Sequence, residues 1–209
     1  MKVLLVNGSP NKEGCTYTAL SEVAGALNKN GIDSEIFWIG KKALSGCIAC
    51  GICATTGKCV FDDVVNECAA KVDECDGFIF GTPVYFASAN GAMISFMDRL
   101  FFSYRKSGKS LSEKPAAAVV SCRRAGSTAT LDQMNKYFSI SNMPVVSSQY
   151  WNMVHGNSPE EVKQDQEGLQ TMRTLGQNMA WLLKCIEAGK QAGIKPPEYE
   201  DALRTNFIR

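Results

Sequence analysis

The sequence predicts an α/β sandwich, a five-stranded parallel sheet with helices packed on both faces. Three observations carry that expectation. Short apolar runs recur along the chain, helical patterns separate them, and the runs are continuous rather than alternating, as strands buried on both faces are. Strand, helix, strand repeated five times is the grammar of a parallel sheet, and right-handed crossovers leave the order 2-1-3-4-5 as the best fit to 209 residues.

The elements follow in order. "KVLLVN" (2 to 7) is the first strand. Leu20, Val23, Ala24 and Leu27 then fall at i, i+3, i+4 and i+7, an apolar helical stripe that stops at "NKNG", where Gly31 suits a C-terminal cap. "DSEIFWIG" (33 to 40) is a partly alternating strand, and a helix is expected from about Asp63 to Cys75. "DGFIFG" (76 to 81) and "PAAAVVSC" (115 to 122) are buried strands, with a helix through "NGAMISFMDRLFF" between them. A fourth helix through "STATLDQMNKYF" leads to a strand at "MPVVSSQYW" (143 to 151). Ser158, Pro159 and Glu161 supply an N-cap, a first-turn proline and a capping-box glutamate for one long final helix carrying Val162, Leu169, Met172, Leu175, Met179, Leu182 and Ile186. From Gly189 the chain is rich in glycine, proline and charge, a tail expected to pack loosely or reach a partner subunit.

Composition bounds the function. With 45% hydrophobic and 21% charged residues the chain reads as one globular domain spanning 1 to 209. A net charge of +1 gives no field for nucleic acid or an anionic membrane. The first apolar run is too short for a signal peptide and no stretch is long enough to span a bilayer, so the expected location is the cytoplasm. In that compartment the nine cysteines are expected to be metal ligands, redox groups or buried thiols rather than disulfides.

Ligands of such sheets bind beyond the carboxyl ends of the strands. The turn "NGSPNKEGCT" (7 to 16) leads from the first strand directly into a helix. Its small and hydroxylated residues leave backbone N–H groups free for an anion, with Ser9 and Thr16 as hydroxyl donors. It is neither a Walker A loop nor a dinucleotide G-x-G-x-x-G fingerprint. After the third strand, "GTPVYFASANG" (81 to 91) places Pro83, Val84, Tyr85 and Phe86 where a flat ring could be bordered. "SCRRAGSTAT" (121 to 130) follows the fourth strand and offers Ser121, Arg123, Arg124 and Gly126 to a phosphate or ring edge.

These loops, with the helix ending "FMDRLF", resemble the NADPH-dependent FMN reductase branch of the flavodoxin-like superfamily over roughly residues 1 to 150. The resemblance implies a flavodoxin-like three-layer sandwich and a bound FMN. It places Ser9, Asn11, Gly14, Cys15, Thr16 and their loop amides on the phosphate, Pro83 to Phe86 beside the isoalloxazine, and Ser121 to Gly126 on its other side. Cys15 departs from the asparagine or serine usual at that position. Within "LSGCIACGICATTGKCVF" (44 to 61), Cys47, Cys50, Cys53 and Cys59 form C-x2-C-x2-C-x5-C, similar to the compact motif of the iron-sulfur flavoproteins. That spacing suits a 4Fe-4S cubane better than zinc, whose ligands usually come as two separated pairs. Val60 stands where a ferredoxin has proline, and reduced thiols packed against the flavin or a subunit interface are the other reading.

The remaining thiols are bland by comparison. Cys68, Cys75 and Cys185 are expected to be small buried hydrophobes. Cys122 lacks the arginine of a C-x5-R phosphatase loop, and His155, alone in the chain, is expected on the surface or at a cap. The function expected is hydride and electron transfer through FMN from NADPH or NADH to a small-molecule or protein acceptor, in a homodimer or homotetramer. The alternative is a non-enzymatic flavodoxin-like electron carrier.

Overall fold

The computed structural model describes every residue except 202, 204, 206, 208 and 209. Five parallel strands lie in the order β2 (Asp33–Trp38), β1 (Lys2–Asn7), β3 (Gly77–Tyr85), β5 (Ala116–Cys122) and β6 (Met153–His155), which is the expected 2-1-3-4-5 arrangement. A sixth strand, β4 (Ser88–Ala89), turns back antiparallel onto the end of β3.

Side chains alternate along each strand between two cores. Leu4, Val6, Phe78, Phe80, Ala118 and Val120 face α3 (Val64–Val72), α4 (Gly91–Lys106) and α5 (Ser127–Ile140), meeting Val65, Met93, Phe96, Met134 and Phe138. Val3, Leu5, Ile79, Ala117 and Val119 face the opposite way, onto Leu20, Val23 and Leu27 of α1 (Cys15–Lys29) and Met172, Leu175 and Met179 of α7 (Gln166–Gln191). Burial on both faces explains why these strands read as continuous apolar runs. Where α1 and α7 cross, a Cβ on Gly176 would stand 2.7 Å from the Val23 carbonyl oxygen, so only glycine lets the helices approach this closely.

Several expectations are corrected. The third strand runs past residue 81 to Tyr85, because Thr82 and Pro83 still pair in register with Val120 and Ser121 of β5. Beyond it Phe86 (φ 50) and Ala87 (φ 59) make a two-residue hairpin turn that adds β4, so the sheet has six strands, not five. The last parallel strand is Met153–His155 rather than 143 to 151, with Val145 making only an isolated bridge to Ala116. In the intervening stretch the Ser148 hydroxyl accepts from the Tyr150 N–H (3.3 Å) and donates to Asn152 Oδ1 (2.7 Å), a local knot that competes with the ladder.

The final helix is two. Ser158 accepts from the Glu161 N–H as expected, but α6 (Pro159–Val162) stops after four residues. Asp165 then caps α7 by accepting from the Gly168 N–H (2.9 Å), an N-cap that the long apolar stripe obscured. That helix continues to Gln191, taking in the first residues assigned to the tail, and carries Cys185 on its exposed side rather than in the core. A short α2 (Cys53–Thr56) lies inside the cysteine loop. Among the described residues no helix is long and apolar enough to cross a membrane.

Candidate functional site

Three loops converge beyond the carboxyl ends of β1, β3 and β5. The Gly8 N–H donates to the Gly81 carbonyl (2.8 Å), tying the first loop to the third strand. The Thr16 and Ser121 hydroxyls share a buried hydrogen bond of 2.8 Å, tying α1 to the end of β5. Gly126, at φ +85, lies against the hairpin so closely that a Cβ there would be 2.6 Å from the Ala87 Cα.

The first loop has the properties of an anion cradle. Helix α1 begins at Gly14 with no side-chain cap and no acidic residue in its first turn, so its leading N–H groups are free to meet a negative charge. The loop holds its own shape: the Ser9 N–H donates to Asn7 Oδ1 (3.0 Å), the Asn11 N–H to Ser9 Oγ (3.1 Å), and Asn7 Nδ2 to the Lys12 carbonyl (3.0 Å). A Cβ on Gly14 would crowd Asn11 Cβ at 3.0 Å. Two contributors lay outside the sequence expectations. Trp38, at the end of β2, donates from Nε1 to the Ser9 carbonyl (2.8 Å), and Lys12 lies over its ring at 5.9 Å. The only sequence signal was position, a tryptophan ending the strand beside the loop.

Not every expected side chain faces the cradle. Cys15 Sγ engages the Gly156 carbonyl at 3.7 Å, and burial pushes its thiol pKa up, so Cys15 offers the cradle a backbone N–H rather than a sulfur. The Thr16 hydroxyl is engaged by Ser121.

Beside the cradle, the hairpin and the arginine loop form an open cleft lined by Val84, Phe86, Ala87, Cys122, Arg123, Arg124 and Ala125. Phe86 projects fully into solvent and Tyr85 is about half exposed at 47%, so both rings are available to a ligand instead of packing in the core. The hairpin's two left-handed non-glycine residues are a strained arrangement held by α5, whose Gln133 Oε1 accepts from Ser88 Oγ (2.7 Å) and the Ala89 N–H (3.0 Å). Arg123 and Arg124 are exposed in this cleft, and neither forms an ion pair among the described residues.

The cysteine loop folds beside α4. Cys47, Cys50, Cys53 and Cys59 all line one apolar recess with Ile48, Val60, Phe61, Phe102 and Arg99, and none is in a disulfide. Burial raises the Cys53 thiol pKa, and the sulfurs of Cys50, Cys47 and Cys59 add to it in that order, which places each of the three within electrostatic reach of Cys53. Among the described residues no three of His, Cys, Asp or Glu are gathered tightly enough for a single ion. The thiols wall a recess instead of converging on a point.

Arg99, which sequence reasoning did not single out, is the recess's polar anchor. It is 1% exposed, and its Nε donates to Cys59 Sγ at 3.2 Å. No local pattern could have found it, since Cys59 lies forty residues away. Of the other thiols, Cys68 and Cys75 are buried as expected, Cys185 is exposed, and Cys122 is buried at the end of β5. His155 ends β6 at the surface, its N–H donating to Asp165 Oδ2 (2.6 Å).

Comparison with known proteins gives a family and a fold. Residues 1–158 match the family of NADPH-dependent FMN reductases. An iron-sulfur flavoprotein of Methanocaldococcus jannaschii is 35% identical over 194 residues, covering 90% of this chain and all of the relative. Among solved structures, RosB with a bound 8-demethyl-8-formylriboflavin-5'-phosphate intermediate superposes with a TM-score of 0.68 at 14% identity, covering 100% of this chain and 92% of that one. A flavodoxin from the domain Archaea gives a TM-score of 0.59 at 15% identity, covering 88% and 99%. At these identities the two structures speak to the fold alone.

Proposed function

We propose that this chain, which belongs to the NADPH-dependent FMN reductase family and is a flavin-dependent oxidoreductase, passes electrons from NADPH or NADH through FMN to a small acceptor or a redox protein. The observation that carries the reading is the uncapped N-terminus of α1 behind the Gly8–Gly14 turn, an anion cradle tied through Gly81 and Ser121 to the strands whose ends carry the cleft of Phe86, Arg123 and Arg124. The residues fit the cofactor. The free N–H groups of Cys15 and Thr16 and the Ser9 hydroxyl would hold the phosphate, with Asn11 and Gly14 shaping the turn around it, while Pro83, Val84, Tyr85, Phe86, Ser121, Arg123 and Gly126 would border the ring. FMN supplies the hydride and electron chemistry when bound, so the chain's own work is to bind it, orient it and present its open face. Arg123 and Arg124, without a carboxylate partner among the described residues, are the groups in this cleft that suit the phosphates of a nicotinamide nucleotide.

The second part of the proposal is a 4Fe-4S cluster on Cys47, Cys50, Cys53 and Cys59. The donor set supports it: four unpaired thiols line one apolar recess with a guanidinium N–H aimed at one sulfur, chemistry that suits a thiolate-ligated cubane better than a single zinc ion, for which no three ligands gather among the described residues. Nine unpaired cysteines suit a reducing, cytoplasmic setting, and assembly as a homodimer or homotetramer belongs to the same proposal.

Anaerobic purification tests the whole reading. A yellow-brown protein whose flavin absorbance bleaches within seconds of adding NADPH or NADH is the expected result. Bleaching by dithionite but by neither nucleotide would turn the assignment to a flavodoxin-like carrier, and fewer than about two irons per chain after reconstitution would remove the cluster, which needs four.

A further inference from the structure

The feature that the proposed function leaves unexplained is a large, fully buried arginine in an otherwise apolar helix face. Arg99 follows Met93, Phe96 and Met97 along α4 and is as buried as they are. A buried guanidinium is costly unless every donor is met, and here each nitrogen is. Nη1 and Nη2 grip both oxygens of Asp63 at 2.8 and 2.9 Å, Nη1 also reaches the Ser45 carbonyl (3.4 Å), Nη2 the Phe61 carbonyl (3.3 Å), and Nε the Cys59 sulfur (3.2 Å). One side chain thus joins the beginning of the cysteine loop to its end. The Phe61 ring covers the guanidinium at 4.8 Å and shields it from water.

We propose that Arg99 is the positioning residue that sets the electron affinity of the metal centre, by donating to the Cys59 sulfur from a guanidinium whose charge is held in balance by Asp63. The inference rests on the cluster reading given above. A thiolate sulfur that accepts a charge-assisted N–H bond carries added negative charge at lower cost, so the reduced state of the centre is favoured and its potential rises. The geometry separates two contributions that act in opposite directions. Removing the guanidinium removes the donor and the cation, whereas neutralising Asp63 leaves the donor and uncovers the cation.

That opposition gives the test a sign. Wild type, R99M, R99K and D63N are reconstituted anaerobically as the full chain. Iron and sulfide are counted, and the cluster's midpoint potential is titrated by low-temperature electron paramagnetic resonance, which distinguishes it from the flavin. Asp63 also caps α3 by accepting from the Val65 N–H (3.1 Å), and asparagine caps as well as aspartate, so D63N keeps that helix start. Relative to wild type, R99M is expected to favour the oxidised cluster about tenfold, a fall of about 60 mV for one electron. Iron release from R99M to a chelator should be about 10- to 100-fold faster. R99K, which keeps a charge but not the fork, should lie between, and D63N should shift the potential upward. A purely structural strut would move iron release without giving opposite shifts in R99K and D63N. If R99M fails to hold iron, those two variants carry the measurement. Wild type below about two irons overturns the cluster reading and this inference with it, whereas four irons with unmoved potentials in R99K and D63N overturns this inference alone.

Discussion

The turn at Gly8–Thr16 and the loop at residues 44–61 stand at the same end of the sheet and are built on opposite principles. The first follows β1, an inner strand with β2 and β3 on its two sides. It is therefore held by the strands on both sides, the Gly8 N–H on the Gly81 carbonyl of β3 and the Trp38 side chain at the end of β2 on the Ser9 carbonyl, with α1 running straight out of it. The second follows β2, the edge strand, and has no strand beyond it to lean on. Most of residues 41–52 is exposed, and its anchorage is concentrated in side chains, Arg99 above all and then Asn66, which donates from Nδ2 to the Cys59 and Phe61 carbonyls (3.0 and 3.1 Å) and accepts from the Cys59 N–H (2.9 Å). An inner loop is shaped by the sheet; an edge loop must be tied down by a few side chains and, once loaded, by what it holds.

If the two regions are independent in this way, damage to one should spare the other. The largest separation is expected for Cys53→Ala: iron per chain after reconstitution should fall from about four to below one, while FMN content stays at the wild-type level. Loss of flavin in this variant would show that the cysteine loop props up the cradle. Gly126→Val is the converse. Its backbone is left-handed and its new side chain meets the Ala87 backbone, so the hairpin must move; FMN should bind about 30-fold more weakly, roughly 2 kcal/mol, with iron content unchanged by assay. A smaller effect is expected within the cleft itself. Arg124→Ala should raise KM for the nicotinamide donor about tenfold, the loss of one charge-assisted contact, and leave dithionite reduction of the flavin untouched. An equal loss of both would place Arg124 on the flavin rather than on the nucleotide.

The same contrast explains what the sequence disclosed. The inner strands announced themselves because burial on both faces demands continuous apolar runs, and the cradle because an uncapped helix after a glycine turn is a local pattern. Strand order followed from connectivity. The cysteine spacing was equally local, but Arg99 was not, because its partners Ser45, Cys59 and Asp63 lie 36 to 54 residues away and only the fold brings them to α4. The hairpin at Phe86–Ala87 escaped notice since neither residue favours positive φ; Gln133 on another helix imposes it. The split of the last helix was missed for the opposite reason, a long apolar stripe overriding the modest signal of Asp165 three residues before Gly168.

The finest distinction between the two kinds of anchorage is among the thiols themselves. Cys68 belongs to α3, seven residues after the loop, yet sits wholly within the sheet-facing core, and burial pushes its pKa up to about 12 from an ordinary 9.0. The sign of its linkage to stability follows. Below about pH 9 the thiol is neutral in both folded and unfolded chains, so its burial stabilisation is complete; as pH rises from 9 toward 12 the unfolded chain releases the proton and the folded one retains it, so stability declines across that window. Cys68→Ala should cost about 1 kcal/mol at pH 7 through the lost sulfur contacts and should flatten the alkaline limb of a denaturant-midpoint profile between pH 9 and 11. Metal-free wild-type protein should in turn alkylate at the exposed Cys47 and Cys50 while sparing Cys68 until it unfolds. Alkylation of Cys68 at the rate of Cys47 would mean that α3 opens with the loop, and that the boundary between the sheet's core and its edge lies one helix further in than Asp63.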